Sequence, residues 1–239
     1  MKQTPQAKAA PVLVVAAHPD DEVLGCGGTM ALMAAAGHPV HVLMLADGES
    51  SRVAKVERGA VAGQMEARNS AADAACAILG CASVEVLSLP DNRLDGVELL
   101  DIVKLIEQAV RKHSARIVFT HHAGDVNIDH RIVHDAVIAA CRPQPGYPVD
   151  ELLFFEVPSS TEWRPPGSGL EFNPSWFVDI STTLDRKLAA LDAYRSEMRP
   201  FPHARSIEAV QALARWRGAT VGATAAEAFM LGRKIVRTK

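Results

Sequence analysis

Long apolar runs alternate with segments of helical period along the first half of the chain. The uninterrupted run at residues 12–17 has no polar alternation, which is typical of a strand covered on both faces of a parallel sheet. The pattern predicts strands at 12–17, 40–46, 84–89 and 116–120, separated by helices at 22–36, 57–79 and 97–112. This alternation predicts an α/β, Rossmann-like three-layer sandwich with a mostly parallel central sheet, in which the strands end at one edge.

The second half of the chain continues with less regular spacing. Further strands are predicted at 151–157 and 176–180, and helical segments at 131–141, 183–194, 206–218 and 223–231. The segment 158–173 is rich in Pro, Gly and Ser and is too long for a simple connection, so it is a candidate lid or specificity loop. The loop at 47–57, which leaves the second strand, is a second candidate.

A dense polar cluster, His-Pro-Asp-Asp-Glu at residues 18–22, follows the first strand directly. Pro19 fixes its own φ, so the chain must turn there, and His18 and Asp21 can then converge on one point while Asp20 is directed elsewhere. An imidazole and a carboxylate are a usual beginning of a zinc site, which in an enzyme needs a third protein ligand and an open position for water. Capping of the next helix explains one acid, but not three acids and a histidine within five residues.

A second polar cluster follows the fourth strand, at residues 120–130, and can supply the missing ligand because both strands end at the same edge. Its Asp-x-Asn-x-Asp run begins like a calcium loop, but His130 stands where that loop needs Gly, and Ala136 where it needs Glu. His130 and His134 have the spacing of paired zinc ligands on a helix, yet the glutamate of the HExxH motif is absent. The pattern therefore favours a packed or supporting role for His134.

Composition is that of an ordinary globular protein and narrows the classes of partner. The 239 residues carry a net charge of -3 with a pI near 6.3 and show no basic stripe, which argues against nucleic acid as a partner. No apolar run is long enough to span a membrane, and residues 1–11 lack the apolar core of a signal peptide. Four cysteines without CxxC spacing predict reduced thiols in a cytoplasmic protein, with Cys26 as a packing residue rather than a nucleophile or ligand.

The two polar clusters together resemble the PIG-L/LmbE-like superfamily of zinc-dependent N-deacetylases, over a Rossmann-like body at about residues 10–200. The motif Ala-His-Pro-Asp-Asp-Glu at 17–22 matches in full, and the Asp-His pair at 129–130 matches the third-ligand motif of the family. The resemblance implies one Zn²⁺ per chain, or another divalent metal in its place. In this family the metal ligands correspond to His18, Asp21 and His130, the general base to Asp20, and the substrate-binding residues to Arg68 and Asp91.

The sequence departs from the family pattern near the third ligand. Many members read His-Pro-Asp-His where residues 127–130 read Asn-Ile-Asp-His, and the first of those histidines is assigned to transition-state stabilisation or proton donation. Asn127 can donate a hydrogen bond to an oxyanion but has no proton for the leaving amine. The catalytic residues expected are Asp20, Asn127 and Asp129, and the histidines that could lie behind the ligands or donate the proton are His121, His122 and His134.

The resemblance implies an amidohydrolase that acts on a linear amide, namely the acetyl group of an N-acetylated amino sugar carried as a glycoside, lipid or nucleotide conjugate. Trp163 offers a flat apolar face for the sugar ring, although it would serve equally to pack its loop. The alternative is a non-catalytic sugar- or nucleotide-binding Rossmann-like protein, suggested by Gly-Cys-Gly-Gly at 25–28, but the dinucleotide motif fails at Met30. We expect one domain over residues 1–239, with a helical part at about 201–239, and leave open whether it forms a homo-oligomer.

Overall fold

The computed structural model of the protein describes the backbone of residues 9–46 and 58–237, and the side chains of residues 9–46 and 67–237. The candidate specificity loop at 47–57 lies outside these residues. Seven strands are present: β1 Val12–Ala16, β2 Val40–Ala46, β3 Ser83–Leu89, β4 Ile117–His121, β5 Glu151–Phe155, β6 Trp176–Asp179 and β7 Ala226–Lys234. Six α-helices accompany them in the described ranges: α1 Asp21–Ala35, α2 Arg58–Leu79, α3 Leu99–His113, α4 Ile128–Ala140, α5 Leu184–Ala193 and α6 Ile207–Ala219. None of the helices in this part of the chain is long and apolar enough to cross a membrane.

All seven strands belong to one sheet, in the order β3-β2-β1-β4-β5-β7-β6. Strands β1 to β5 pair in parallel, and β7 runs antiparallel between β5 and β6. The strand order reverses at β1, which pairs with β2 on one side and with β4 on the other. The carboxyl ends of β1 and β4 therefore adjoin at a switch point, the place where open α/β sheets bind their ligands. The predicted three-layer α/β fold with a mostly parallel sheet is confirmed.

Successive residues of β1 face opposite layers and are all buried, which explains its uninterrupted apolar run. Val14 packs with residues of α1, α2 and α5 on one face, whereas Val15 packs with α3 and α4 on the other. Helix α1 approaches the sheet closely because it is rich in small residues: a Cβ added at Gly25 would lie 2.3 Å from the ring of Phe155. Cys26 in the same helix is fully buried, and none of the four cysteines forms a disulfide.

The predicted helix at 223–231 is wrong, because residues 226–231 belong to β7. The Ala, Glu, Met and Leu residues of this segment favour a helix locally. Ala228 and Phe229 are nevertheless buried where the segment pairs with β5 on one side and with β6 on the other. Pairing and burial thus override local propensity, and the C-terminal part at 201–239 is only partly helical.

The other predicted elements are present, with ends that differ by at most three residues. The largest difference near the polar clusters is in α4, which begins at Ile128 rather than at residue 131. Asn127 caps this helix, because its side chain accepts hydrogen bonds from the main-chain N–H groups of Asp129 and His130. Asp129 and His130 consequently lie in the first helical turn, where the backbone fixes their positions.

Candidate metal centre and active site

The turn after β1 separates the side chains of the first polar cluster. Asp20 has a φ of 107°, which is unusual for a residue with a side chain, and its carbonyl oxygen accepts hydrogen bonds from the N–H groups of Val23 and Leu24. The main-chain N–H of His18 donates to Oδ2 of Asp21 at 2.9 Å. His18 and Asp21 therefore face one point, while the Asp20 carboxylate is held elsewhere. Backbone strain of this kind is concentrated at functional sites.

Three buried side chains meet where β1 and β4 end. Nδ1 of His18 lies 3.3 Å, and Nε2 of His130 lies 3.2 Å, from Oδ2 of Asp21. One potential ligand atom from each residue lies within 4.8 Å of the others, so this group can hold a metal ion. Two imidazoles and a carboxylate are typical zinc ligands and leave a coordination position for water. The residues present therefore fit a divalent ion.

The charges around this group favour a cation. Burial lowers the pKa of His130, but Asp21 and Asp125 outweigh it and raise this pKa to about 9. Burial also opposes protonation of His18, yet hydrogen bonds to Asp129 and Asp21 raise its pKa well above the usual range. Burial raises the pKa of Asp21, but the two histidines outweigh that effect and hold it well below its usual range. The surroundings thus stabilise positive charge, which a divalent ion supplies.

Asp20 lies beside this group without joining it. Its carboxylate is buried and accepts a hydrogen bond from Nη1 of Arg205 at 3.1 Å. Burial, reinforced by the charge of Asp21, raises the pKa of Asp20 to about 7, and Arg205 opposes the rise. A carboxyl group that titrates near neutrality can accept a proton and return it.

Glu22, the last acid of the first cluster, holds the turn and does not face the metal group. Its Oε2 accepts the main-chain N–H of Asp20 at 3.1 Å, and its Oε1 accepts the hydroxyl of Tyr194 at 2.8 Å. Burial raises the pKa of Glu22 to about 8, against the effect of the Tyr194 hydrogen bond. Tyr194 lies just beyond α5, which packs against α1, so a residue distant in sequence supports the unusual conformation of Asp20 through Glu22.

A cavity of about 130 Å³ opens in front of these side chains. Its wall contains seven of the residues predicted from the sequence: His18, Asp20, Asp21, Arg68, Asp91, Asn127 and His130. It also contains six residues that the sequence analysis did not name individually: Asn92, Val157, Ser159, Ser160, Glu197 and Arg205. Ser159 and Ser160 belong to the candidate lid or specificity loop at 158–173. The wall is thus built from α2, from the ends of β1, β3, β4 and β5, and from the connection between α5 and α6.

Arg68 and Asp91 occupy the cavity wall. Nη2 of Arg68 donates to Oε1 of Glu197 at 2.7 Å, and both side chains are buried, so Arg68 is not an ordinary surface arginine. Oδ1 of Asp91 lies 3.0 Å from Nε2 of His18. A substrate in front of the metal group would therefore meet both residues.

Asp129 and Trp163 lie outside the cavity wall. Asp129 is fully buried behind His18, and its two carboxylate oxygens accept the N–H groups of Asn92 at 2.7 Å and Leu94 at 3.0 Å. Trp163 is 54% exposed and contacts His203 edge-on, with ring centroids 5.6 Å apart. The catalytic role expected for Asp129 and the sugar-binding role expected for Trp163 stay predictions.

The three further histidines, His121, His122 and His134, lie outside the cavity wall. His121 stacks on His130 with ring centroids 3.9 Å apart, and its Nε2 accepts a main-chain N–H at 2.8 Å. Nε2 of His122 donates to the carbonyl oxygen of Leu170 at 3.0 Å, and Nδ1 of His134 donates to that of His121 at 2.9 Å. These contacts fit supporting roles, and Asp20 is better placed than any of the three to transfer a proton.

Sequence reasoning missed the groups that distant segments bring to the site. Glu197 and Arg205 come from the connection between α5 and α6, where no motif pointed to chemistry. Asp125, which contacts the imidazole of His130, lies within the second polar cluster, but the sequence pattern indicates it only as the first residue of an incomplete calcium loop. Its place five residues before a predicted metal ligand was the available signal.

The fold and the site together define a class of protein: an α/β sandwich with a buried His-Asp-His group and a separate buried carboxylate at the carboxyl edge of its sheet. Comparison with known proteins identifies the family within this class. The family model described as GlcNAc-PI de-N-acetylase, PIG-L, matches residues 13–141, and the chain belongs to this family.

Individual relatives differ in the reaction that their names describe. The uncharacterized deacetylase YaiS of Escherichia coli is 30% identical over 191 residues, which is 77% of this chain and 90% of that protein. The 4-oxalmesaconate hydratase of Pseudomonas putida is 33% identical over 197 residues, which is 79% of this chain and 73% of that protein. The structure of the N,N'-diacetylchitobiose deacetylase from Pyrococcus horikoshii matches with a TM-score of 0.75 at 21% identity, covers 97% of this chain and 86% of that one, and shows a shared fold.

Proposed function

We propose that this protein is a zinc-dependent hydrolase that removes the acetyl group from an N-acetylated amino sugar. The observation that carries the proposal is the meeting of His18, Asp21 and His130 beside the buried Asp20 in one cavity. Membership of the PIG-L family supports it, because the family description names the de-N-acetylation of an N-acetylglucosamine conjugate. Residues 1–239 are proposed to form one deacetylase domain.

One zinc ion is proposed to be held by His18, Asp21 and His130. Two imidazoles and a carboxylate suit zinc, and other divalent transition metals accept the same ligands. When bound, the ion polarises the acyl oxygen and makes a nearby water molecule more acidic. The three side chains would hold the ion beside Asp20, which is the group that moves the proton.

Asp20 is the proposed acid–base group. Its carboxylate takes a proton from water as the water oxygen bonds to the acyl carbon, and it returns that proton to the nitrogen as the C–N bond breaks. The products are acetate and a free amine. The pKa of Asp20, raised to about 7 by burial and by Asp21, suits both transfers near neutral pH. Asp20 then fills the general-acid role that is closed to Asn127.

The remaining wall residues are proposed to orient the substrate. Oδ1 of Asn127 caps α4, so its Nδ2 group, 3.2 Å from Oδ1 of Asn92, is the part that can donate a hydrogen bond to the acyl oxygen. Arg68 and Asp91 are proposed to bind sugar hydroxyl groups, because a guanidinium donates and a carboxylate accepts hydrogen bonds with fixed geometry. Trp163, outside the wall, is proposed to offer its flat face to a sugar ring of the substrate.

Release of acetate tests the proposal. Purified protein is incubated with a panel of N-acetylglucosaminides that differ in their aglycones, and acetate and free amine are both measured. We expect equal amounts of the two products, loss of activity after treatment with a chelator, and recovery when zinc is added. Product formation that survives complete removal of metal would contradict the proposal. Sugar binding without product formation in the zinc-loaded protein would favour the non-catalytic alternative.

A hydratase is the second candidate, favoured by the 33% identity to the 4-oxalmesaconate hydratase over 197 residues. The same wall can support addition of water to an activated double bond. Asp20 would take a proton from water as the water oxygen bonds to one carbon and return a proton to the other carbon, while Arg68 and Arg205 face the carboxylates of the substrate. The two candidates give different products. Hydration abolishes the ultraviolet absorbance of a conjugated dicarboxylate and releases no acetate, whereas deacetylation releases acetate and an amine.

A further inference from the structure

We propose that two buried carboxylates select the ring nitrogen with which each histidine binds the metal ion. Asp129 leaves Nδ1 of His18 available, and Asp125 leaves Nε2 of His130 available. The inference rests on the proposed metal centre and adds two positioning residues that act through the histidines. The two histidines would therefore bind the ion as opposite tautomers, with the proton on Nε2 of His18 and on Nδ1 of His130.

His130 stands between two carboxylates. Its Nε2 lies 3.2 Å from Oδ2 of Asp21, on the side of the metal group, and its Nδ1 lies 3.2 Å from Oδ2 of Asp125. An ionised carboxylate accepts hydrogen bonds and donates none, so Asp125 requires a proton on Nδ1. Neutral His130 then has its lone pair on Nε2, which is the atom that faces Asp21.

His18 shows the opposite arrangement. Its Nδ1 lies on the metal side, 3.3 Å from Asp21, and its Nε2 lies 3.0 Å from Asp129 and 3.0 Å from Asp91. Each oxygen of Asp129 also accepts one main-chain N–H group, so this carboxylate is fixed in position and remains an acceptor. The proton is thereby held on Nε2 of His18, and the lone pair of Nδ1 is left for the ion.

A rival position for the ion lies on the other side of the same ring. His18, Asp91 and Asp129 also bring one potential ligand atom each within 4.8 Å, and an ion there would use Nε2 of His18. Oδ2 of Asp129 already has two hydrogen-bond partners, the N–H of Asn92 at 2.7 Å and Nε2 of His18 at 3.0 Å, which argues against this position. The two positions therefore differ in the nitrogen of His18 that binds the ion, Nδ1 or Nε2, and this difference can be measured.

Asp125 is suited to a test because its contacts can be altered separately. Its Oδ2 faces His130 and accepts the hydroxyl of Thr161 at 2.7 Å, while its Oδ1 accepts the N–H of Asn127 at 2.8 Å and the hydroxyl of Ser160. Asp125→Asn keeps the acceptor at Oδ1 and puts an amide NH₂ group in place of Oδ2. That group donates to Nδ1 of His130, which moves the proton to Nε2 and removes the lone pair that binds the ion.

Zinc affinity, measured by competition with a chromophoric chelator, tests the role of Asp125. We expect Asp125→Asn to bind zinc about 10- to 100-fold more weakly than the wild type. Thr161→Val is the matched control, because it removes a hydrogen bond to Oδ2 but leaves the carboxylate facing His130, and it should keep the wild-type affinity. Unchanged affinity in Asp125→Asn would overturn the inference. Equal losses in both variants would overturn it too, since packing of the turn and not the carboxylate would then control binding.

A spectroscopic test on the wild-type protein does not depend on the folding of a variant. In zinc-loaded protein with ¹⁵N-labelled histidine, two-bond nitrogen–proton correlations show which ring nitrogen carries the proton. We expect the proton on Nε2 of His18 and on Nδ1 of His130. Zinc bound through Nε2 of His18 would overturn the inference and leave the proposed deacetylation standing. If the protons lie on the expected nitrogens but the protein releases no acetate, the result would contradict the proposed function and not this inference.

Discussion

Arg205 donates a hydrogen bond from Nη1 to Oδ2 of Asp20 at 3.1 Å, although 185 residues separate the two in sequence. Its Nε also donates to the hydroxyl of Ser159 at 3.0 Å. A single guanidinium thus joins the proposed acid–base group to the segment that follows β5. Because Arg205 lies outside residues 13–141, the part of the chain that matches the family model does not contain every residue that holds the Asp20 carboxylate in place.

Asp20→Asn should retain zinc and lose most of the deacetylase activity. The amide has nearly the same shape and can still accept the hydrogen bond from Arg205, but it cannot take a proton from water. Loss of acid–base assistance typically lowers kcat by about 10²- to 10⁴-fold. Acetate release and zinc content are measured on the same preparation. A variant that turns over at nearly the wild-type rate would end the assignment of Asp20 as general base.

Arg205→Gln should lower kcat with little change in zinc content. The shorter neutral side chain no longer fixes the Asp20 carboxylate, and misplacement of a catalytic group by about 1 Å can lower the rate by about 100-fold. Arg195→Gln is the matched control, because Arg195 comes from the same connection after α5 but pairs with Asp192 at the surface. Steady-state kinetics should show a loss only in the first variant. Equal rates for the two variants would exclude a positioning role for Arg205.

His130→Ala should strip the metal and abolish activity, because it removes one of two imidazoles from the proposed centre. His134→Ala is the control: it also shortens a buried histidine of α4, but Nδ1 of His134 contacts a carbonyl oxygen and no proposed ligand. Elemental analysis should find about one zinc per chain in His134→Ala and none in His130→Ala. If His130→Ala kept full zinc occupancy, the third ligand would have to be sought in His121, His122 or His134.

The part of the site that is formed by the single turn after β1 could be predicted from the sequence. His18, Asp20 and Asp21 follow a buried strand, and Pro19 forces a turn, so local geometry alone separates the candidate ligands His18 and Asp21 from Asp20. The nearness of the second cluster follows from a general property of parallel sheets, whose strands end at one edge. The family resemblance then selected His130 from several histidines of that cluster.

The rest of the site depends on contacts between segments that no local pattern joins. Glu197 and Arg205 lie in an irregular connection, and their meeting with Arg68 and Asp20 is a product of how α5 and α6 pack on the sheet. The same limit explains the error at β7, whose residues favour a helix until two neighbouring strands offer partners. Sequence periodicity reports the local preference of a segment for helix or strand. The contacts of Glu197 and Arg205 and the pairing of β7 form only when the sheet and its helices are assembled.

Arg68→Ala should lower kcat/KM for an N-acetylglucosaminide by about 10- to 100-fold, the range for loss of a hydrogen bond from a charged donor. Zinc content should not change, because Arg68 contacts Glu197 and not the metal group. The double variant Arg68→Ala/Glu197→Gln separates two explanations. Recovery of kcat/KM in the double variant would mean that the charge of Glu197 caused the loss. A persistent loss supports a direct contact between Arg68 and the sugar, and unaltered kcat/KM in Arg68→Ala would rule that contact out.

A pair of histidines away from the site should make stability sensitive to acid. The rings of His41 and His113 stack with centroids 3.7 Å apart. Burial lowers the pKa of each below the usual 6.5, and the positive charge of Lys112 adds to the effect. Because the unfolded chain then binds protons at a higher pH than the folded chain, the contribution of the pair to stability is fully present above about pH 6.5 and is lost as the pH falls from there through the lowered pKa values of the folded chain.

His113→Gln should therefore reduce the loss of thermal stability on acidification. One of the two lowered pKa values disappears with the imidazole, and the neighbouring imidazole of His41 is relieved of a like charge. The measurement is the change in Tm between about pH 7.5 and about pH 5.5, compared among wild type, His113→Gln and the control His38→Gln, whose imidazole lies outside the pair. We expect the smallest change in His113→Gln and similar changes in the other two. The same drop in Tm for all three proteins would show that groups other than the stacked pair control the response to acid.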